Sequence, residues 1–301
     1  MPTISPRYRD ICLDVFRFTY LTKHHLAHYF HSVNERDRDR VINRTLAAME
    51  RKRLIRRFAQ PTFHGERGGR APNVIALDEV GAHLVSDELG IERERISYTK
   101  SARAAEDRNY WLLLHTLEVA DFGCAVRQAQ ADGVSWVGET ELKRDPVRVR
   151  VQVPANGAKN GPTQEKDVSL ISDGLYTVES QQKRAFFMLE CDRGTTTINS
   201  QSPLQRRDIM QKIAAYHVFA TAGLYKEAFQ MGAPPRVTWV TTSDKRLQSL
   251  MQAVEDTIDD GRGRMMHWFT TKDQVTPASV LSQPIWQVAG QDEHLALIKE
   301  E

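Results

Sequence analysis

The sequence predicts a mixed α+β protein: a small basic module of helices and a hairpin, followed by an α/β layered domain around a central mixed sheet. Three observations predict it. The chain has 301 residues, 41% hydrophobic and 27% charged, and its formal net charge of +2 hides a split. Residues 1–72 carry 15 Lys and Arg against 7 Asp and Glu, a local net of +8, whereas the rest nets −6. Apolar residues in the first fifty positions recur at helical spacing and give way to two strand-like runs. Beyond residue 147, strand-like and helical runs alternate, as they do when helices cover the faces of a sheet.

The basic module reads in order. Ile11, Val15 and Phe18 space a first helix over residues 10–18. Thr22 is expected to cap a second helix running to Phe30, with Leu26, Ala27 and Phe30 on its apolar side. A third helix is expected over residues 36–52, where Ile42, Leu46 and Met49 share one face. Arg40, Arg44, Ala47 and Arg51 lie on the opposite side, with Arg36 and Asn43 adjoining. A small residue flanked by arginines suits a major groove, reaching phosphates and base edges together. Two strand-like runs follow at 54–58 and 73–77, joined by the Gly- and Arg-containing AQPTFHGERGGRAP. Three helices and a basic hairpin make the winged helix-turn-helix plan. Arg56, Arg67 and Arg70 then stand on the wing, where backbone phosphates are within reach. A module of this plan also serves protein docking, but the basic helix face and wing favour duplex DNA. His24, His28 and His31 are read as surface or packing histidines rather than metal ligands, since no further ligand accompanies them. Residues 78–89 read as a short helix after the wing.

In the middle of the chain, Tyr110, Leu113, Leu114, Leu117, Phe122 and Val126 place a long helix over 106–131, stopped at Gly133. The alternating VRVRVQV reads as a two-faced strand, and PANGAKNGPTQEKD as a mobile loop. Residues 168–179 and 184–192 are two strand candidates around the turn Ser180-Gln181-Gln182-Lys183. Centring that turn between Gln181 and Gln182 makes Asp173 and Glu190 cross-strand neighbours, with Asp192 pointing the same way. Strands this apolar hold three carboxylates only if something neutralises them. A divalent cation, magnesium or manganese by the hardness of the oxygen ligands, would do so, and so would a lysine. The other reading leaves them as capped or salt-bridged structural acids, with Arg193 or Lys183 as partners. The next helix starts at Ser202 with Pro203 and Gln205 behind it and runs to about Ala222. Gln205, Lys212 and Tyr216 share one of its sides, so Lys212 is placed to bring positive charge to the acids. A strand over 236–241, a helix over 244–258 and a strand over 267–271 complete the layered domain.

The winged module, LDEVGAHLV behind it, and later DGLY, FFMLECDRGT and KIAAY resemble the replication-relaxation family of mobile-element proteins over roughly residues 8–258. That resemblance implies plasmid replication, DNA relaxation and conjugative mobilisation, with a C-terminal part of the PD-(D/E)xK nuclease, restriction-endonuclease-like fold. The expected domains are a winged helix-turn-helix domain over 1–96, a connecting long helix over 97–140, a nuclease-like domain over 141–275 with a flexible loop near 154–166, and a tail over 276–301. Carried over by motif, Asp173 is the first acid and Glu190 the second; Asp192 is an expected metal ligand only as the third carboxylate of the cluster read from the strands. Two departures stand out: Ser172 replaces the proline before the first acid, and Asp192 replaces the lysine two positions after the second. Lys212, with Tyr216 in a K-x-x-x-Y arrangement, is the replacement lysine; the alternative is a nuclease-like scaffold kept for regulation, dimerisation or docking.

Other chemistries are excluded by their missing motifs. There is no G-x-x-x-x-G-K-[ST] phosphate loop, no G-x-S-x-G elbow and no His-x-His pair of the rolling-circle relaxases. Three scattered cysteines give neither a disulfide framework nor a metal knuckle. The N-terminus lacks the basic-then-apolar pattern of a signal peptide, and no window is apolar enough to span a bilayer. The expected protein is cytoplasmic, in a bacterium, and acts away from the membrane. Its expected partners are double-stranded DNA and a relaxase, replication or conjugation protein, with a homodimer as a further expectation.

Overall fold

The computed structural model describes residues 4–60, 71–99, 110–129, 133–154, 163–180, 183–198, 209–291 and 293–298. The fold is mixed α+β, and the chain divides into two compact units, Met1–Cys124 and Ala125–Glu301.

In the first unit, helix α1 (Pro6–Phe18) opens on Ser5, whose side chain accepts from the Tyr8 N–H, with proline in its first turn. Ile11, Val15 and Phe18 are buried as their spacing demands. The expected second helix is not there. Leu21–Thr22 form a short strand, β1, and residues Ala27–Phe30 make a single 3-10 turn. The backbone of Leu21 and Thr22 is taken by pairing with Ile75 and Val74. The Thr22 N–H also donates to Nδ1 of buried His25 (3.0 Å), which fixes a turn in place of a helix start. Helix α2 (Glu35–Arg51) is capped by Asn34, whose side chain accepts from the Arg36 N–H, and has Glu35 and Asp37 in its first turn. Ile42, Leu46 and Met49 are its buried stripe. Strands β2 (Ile55–Phe58) and β3 (Val74–Leu77) pair antiparallel, and β3 lies between β1 and β2. Helix α3 (Glu79–Leu89) follows with Asp78 as its cap. Gly81 sits in α3 because a Cβ there would lie 1.9 Å from the Leu54 carbonyl oxygen.

Helix α4 (Tyr110–Ala129) is apolar around most of its circumference, and the division between units falls within it. Leu113 and Leu117 join Tyr20, Phe58, Val74 and Ala76 in a buried cluster of the first unit.

In the second unit the strands form a six-stranded sheet of order β11-β10-β9-β8-β7-β4 and a separate two-stranded β5-β6 hairpin. Here β4 is Val134–Gly138, β7 Gly174–Ser180, β8 Lys183–Asp192, β9 Arg236–Thr241, β10 His267–Thr271 and β11 Gln287–Val288. The central strands β8, β9 and β10 are parallel to one another, while β4, β7 and β11 run antiparallel to their neighbours. Edge strand β4 comes from the stretch read as connector, and β11 from the stretch read as tail. At five and two residues, neither offers enough alternation to stand out in the sequence. The hairpin pairs β5 (Val147–Pro154) with β6 (Thr163–Leu170). So the expected loop near 154–166 is strand from Thr163 onward, and residues 155–162 lie outside the described ones. The single strand expected over 168–179 is two: β6 ends at Leu170 and β7 begins at Gly174. Short helix α5 (Glu139–Leu142) follows β4. Helices α6 (Ile209–Thr221), α7 (Leu224–Phe229), α8 (Asp244–Thr257) and α9 (Gly261–Arg264) complete the unit. Met188, Val237, Trp239 and Phe269 of the sheet are buried with Ile213, Phe219, Leu250 and Val254 of α6 and α8 in one core. The starting cap expected for α6, Ser202, Pro203 and Gln205, lies outside the described residues.

Candidate functional site

Two regions carry the expected functional residues. On α2, packing of Ile42, Leu46 and Met49 turns the other side to solvent, and Arg36, Arg40, Asn43, Arg44 and Arg51 are all exposed there. Arg40 touches Asp37 of its own helix (2.8 Å) with its side chain 74% exposed, a contact worth little. Among the described residues, Arg36, Arg44 and Arg51 make no ion pair. Arg56 does not belong to this surface: its guanidinium reaches Asp78 (2.9 Å), the cap of α3. Its neighbour Arg57 points the other way along the strand, to Glu50 of α2 (2.5 Å). Strand alternation sends one of two consecutive arginines to each face, and the sequence does not say which. Arg67 and Arg70 lie outside the described residues.

The second region gathers at β8. The observed register pairs Gly174 with Leu189 and Ser180 with Lys183, which is the register that places Asp173 opposite Glu190. Asp173 ends the short break between β6 and β7. Its N–H donates to the Leu189 carbonyl (2.9 Å), and its Oδ2 accepts from the Cys191 N–H (2.7 Å), so the carboxylate is tied across to β8. Gly174 follows because a Cβ there would meet the Trp136 ring at 2.4 Å. Glu190, 3% exposed, receives hydrogen bonds from Lys212 Nζ on one oxygen and from the Tyr216 hydroxyl on the other. One turn of α6 separates Lys212 from Tyr216, so both reach the same carboxylate. Lys212 keeps 29% of its side chain exposed and is the open side of this cluster.

Burial pushes the Glu190 carboxyl up to about 7. The Lys212 ammonium holds it down against that, and the Asp173 carboxylate adds to the rise. Burial alone would pull Lys212 down, but the Glu190 and Asp173 carboxylates outweigh it and hold the ammonium above its ordinary value. Burial and the neighbouring Glu190 raise the Tyr216 phenol well above its usual range. The cluster is therefore a buried acid sharing protons with a lysine and a tyrosine, close to a second acid.

Asp192 points to the same helical layer as Glu190, yet it is closed by other groups. Arg246 of α8 donates to both its oxygens (2.6 and 2.9 Å), and Thr241 Oγ1 donates to one of them (3.2 Å). The same guanidinium holds the Thr196 carbonyl (2.6 Å). Arg246 is 54 residues from Asp192 in the chain, whereas the sequence offers the nearby Arg193 and Lys183 as salt-bridge partners. Only a long-range contact made by the α8 start, capped at Ser243, identifies it. The structure thus brings together Asp173, Glu190, Lys212 and Tyr216 and seats Asp192 in its own ion pair. Among the described residues no group of three or more His, Cys, Asp and Glu side chains is arranged to hold a metal ion. Nor, among them, is any helix long and apolar enough to cross a membrane.

A family model described as replication-relaxation matches residues 14–231, well over half of the chain. No curated protein and no solved structure matches it.

Proposed function

The chain belongs to the replication-relaxation family, which points to a role in replication or relaxation of mobile elements, and we propose that it fills that role as a DNA-binding accessory protein. The observation that carries this reading is the solvated arginine face of α2 opposite its buried stripe. On this reading the first unit is a winged helix-turn-helix. Helix α2 enters the major groove of a duplex, Arg40, Arg44 and Arg51 meet phosphates and base edges, and β2, β3 and the segment joining them serve as the wing. A relaxase, replication or conjugation protein is the partner that such an accessory would position on DNA. The test is titration of a labelled duplex with the wild type and with an R40A/R44A/R51A triple variant. Retained affinity in the variant moves the DNA contact elsewhere.

For the second unit we propose a nuclease-like role centred on Asp173, Glu190 and Lys212. Two carboxylates suit magnesium or manganese, which commonly takes one or two protein carboxylates and keeps several waters. Asp173 and Glu190 would hold the ion, and it would supply charge to activate a water against a phosphodiester. Lys212 would release Glu190 to it, and Tyr216 would keep the Glu190 carboxylate oriented. Magnesium- or manganese-dependent cutting of supercoiled DNA that disappears in a D173A/E190A variant is the expected result. A second reading, a non-catalytic domain for docking or dimerisation, is favoured by the Arg246 clamp on the residue standing where the usual lysine would be. Equal behaviour of wild type and double variant, with no cutting by either, selects it.

A further inference from the structure

A cavity of about 180 Å³ opens in the first unit between α2 and the hairpin, away from the residues assigned above except Asn43. Its floor is apolar, made by Leu46 and Ile75, which are 1% and 0% exposed, with Pro72 as a wall. Its rim is polar: Lys23, Asn43, Arg57 and Asn73. Each rim cation already has an anion. Lys23 Nζ lies 2.5 Å from the Asp39 carboxylate, and Arg57 lies 2.5 Å from that of Glu50. The rim is therefore balanced in charge and gives a free phosphate little net attraction. It offers two amides, each both donor and acceptor, above an apolar floor. That combination fits a flat ring with apolar faces and a hydrogen-bonding edge.

Size narrows the ligand further. The volume is more than ten times the roughly 10–15 Å³ that one water needs, and below the roughly 300 Å³ at which pockets for drug-sized ligands begin. A single ring system fits, and a whole nucleotide does not. Asparagine amides pair bidentately with adenine. We propose that this cavity takes one unpaired nucleobase, adenine before the others, extruded from the DNA that α2 binds. The proposal rests on the DNA-binding reading above and adds to it a site for a base outside the stack. A base leaves a matched duplex at a cost that is smallest where it is already unpaired, so a bulged strand is the natural substrate.

The experiment compares a matched duplex with the same duplex carrying one extrahelical adenine, by fluorescence anisotropy on the full chain. The wild type should bind the bulged duplex about tenfold tighter, the scale of one good base contact. Asn73→Ala removes a rim amide from an exposed loop position, and Leu46→Phe fills the floor. Both should reduce the preference, read within each variant as the ratio of bulged- to matched-duplex affinity, to about twofold or less. Equal affinity of the wild type for the two duplexes overturns the proposal and leaves the DNA-binding reading standing. So does a preference that survives both variants, because the base is then held elsewhere. Failure to bind either duplex overturns the DNA-binding reading and this proposal with it. Replacing the bulged adenine with an abasic residue should also abolish the preference; a preference that persists would mean that backbone shape, not the base, is recognised.

Discussion

The arginine face of α2 and the acid cluster on β8 treat charge in opposite ways. On that face of α2 the arginines are solvated and, apart from the loose Arg40–Asp37 contact, make no ion pair among the described residues. On β8 they are nearly buried, and each is met by an opposite charge or a hydrogen bond. Solvated charge costs the fold almost nothing and stays available to a partner. Buried charge has lost its water and holds only as a closed set. Removing one member of such a set should therefore destabilise the protein, whereas removing an α2 arginine should leave its stability unchanged.

The largest effect is expected at Arg246. With Arg246→Ala, Asp192 keeps, among the described residues, the Thr241 hydroxyl and the Gly194 N–H around a side chain 3% exposed. The expected loss is about 3 kcal/mol by urea denaturation, in the range for breaking a buried pair. A loss below about 0.5 kcal/mol, the size of an ordinary surface substitution, would remove Asp192 from the buried set.

Lys212→Met comes next, and its size should depend on pH. The folded pKa of Glu190 is raised above its unfolded value, so the stability this carboxyl contributes is full below about 4.5 and lost as pH rises through about 7. The variant loses the nearby ammonium, so ionised Glu190 is left buried without its cation. The loss should be about 2 kcal/mol near pH 8 and under about 1 kcal/mol near pH 5, where the protonated acid needs no partner. Equal losses at the two pH values would contradict the raised Glu190 pKa.

A finer test follows that carboxyl directly. Infrared difference spectra of the wild type against Glu190→Gln should show one group titrating near 7. In Lys212→Met that midpoint moves up, because the cation holding it down is gone. In Asp173→Asn it moves down, because the repelling carboxylate is gone. A midpoint unmoved by Asp173→Asn would separate the two acids.

How much of this was legible in the sequence depends on the reach of each contact. The pairing of Asp173 with Glu190 was legible because a short turn fixes register and alternation carries it down both strands. Lys212 and Tyr216 were legible as one face of a helix, and the α2 stripe likewise. Arg246 was not, since the start of a helix on one side of the sheet says nothing about which strand end it will meet. The absence of the second helix was not legible, because Leu21 and Thr22 are claimed by a strand that begins more than 50 residues later, at Val74. Strand β6 was hidden in a polar run because its outer face is solvated, with Arg150 and Asp167 paired across it (3.0 Å). The cavity beside α2 needs Lys23, Arg57 and Asn73 from three separate segments, a convergence that local pattern does not encode.

The smallest effect on stability belongs to the α2 face, and it offers the most direct test. The R40A/R44A/R51A variant should unfold within about 0.5 kcal/mol of the wild type. Its affinity for duplex DNA should be followed from about 50 to about 200 mM salt. The expected loss is about a hundredfold, with the slope of log affinity against log salt shallower by about three, one counterion for each phosphate contact removed. An unchanged affinity and slope in a normally folded variant would contradict it.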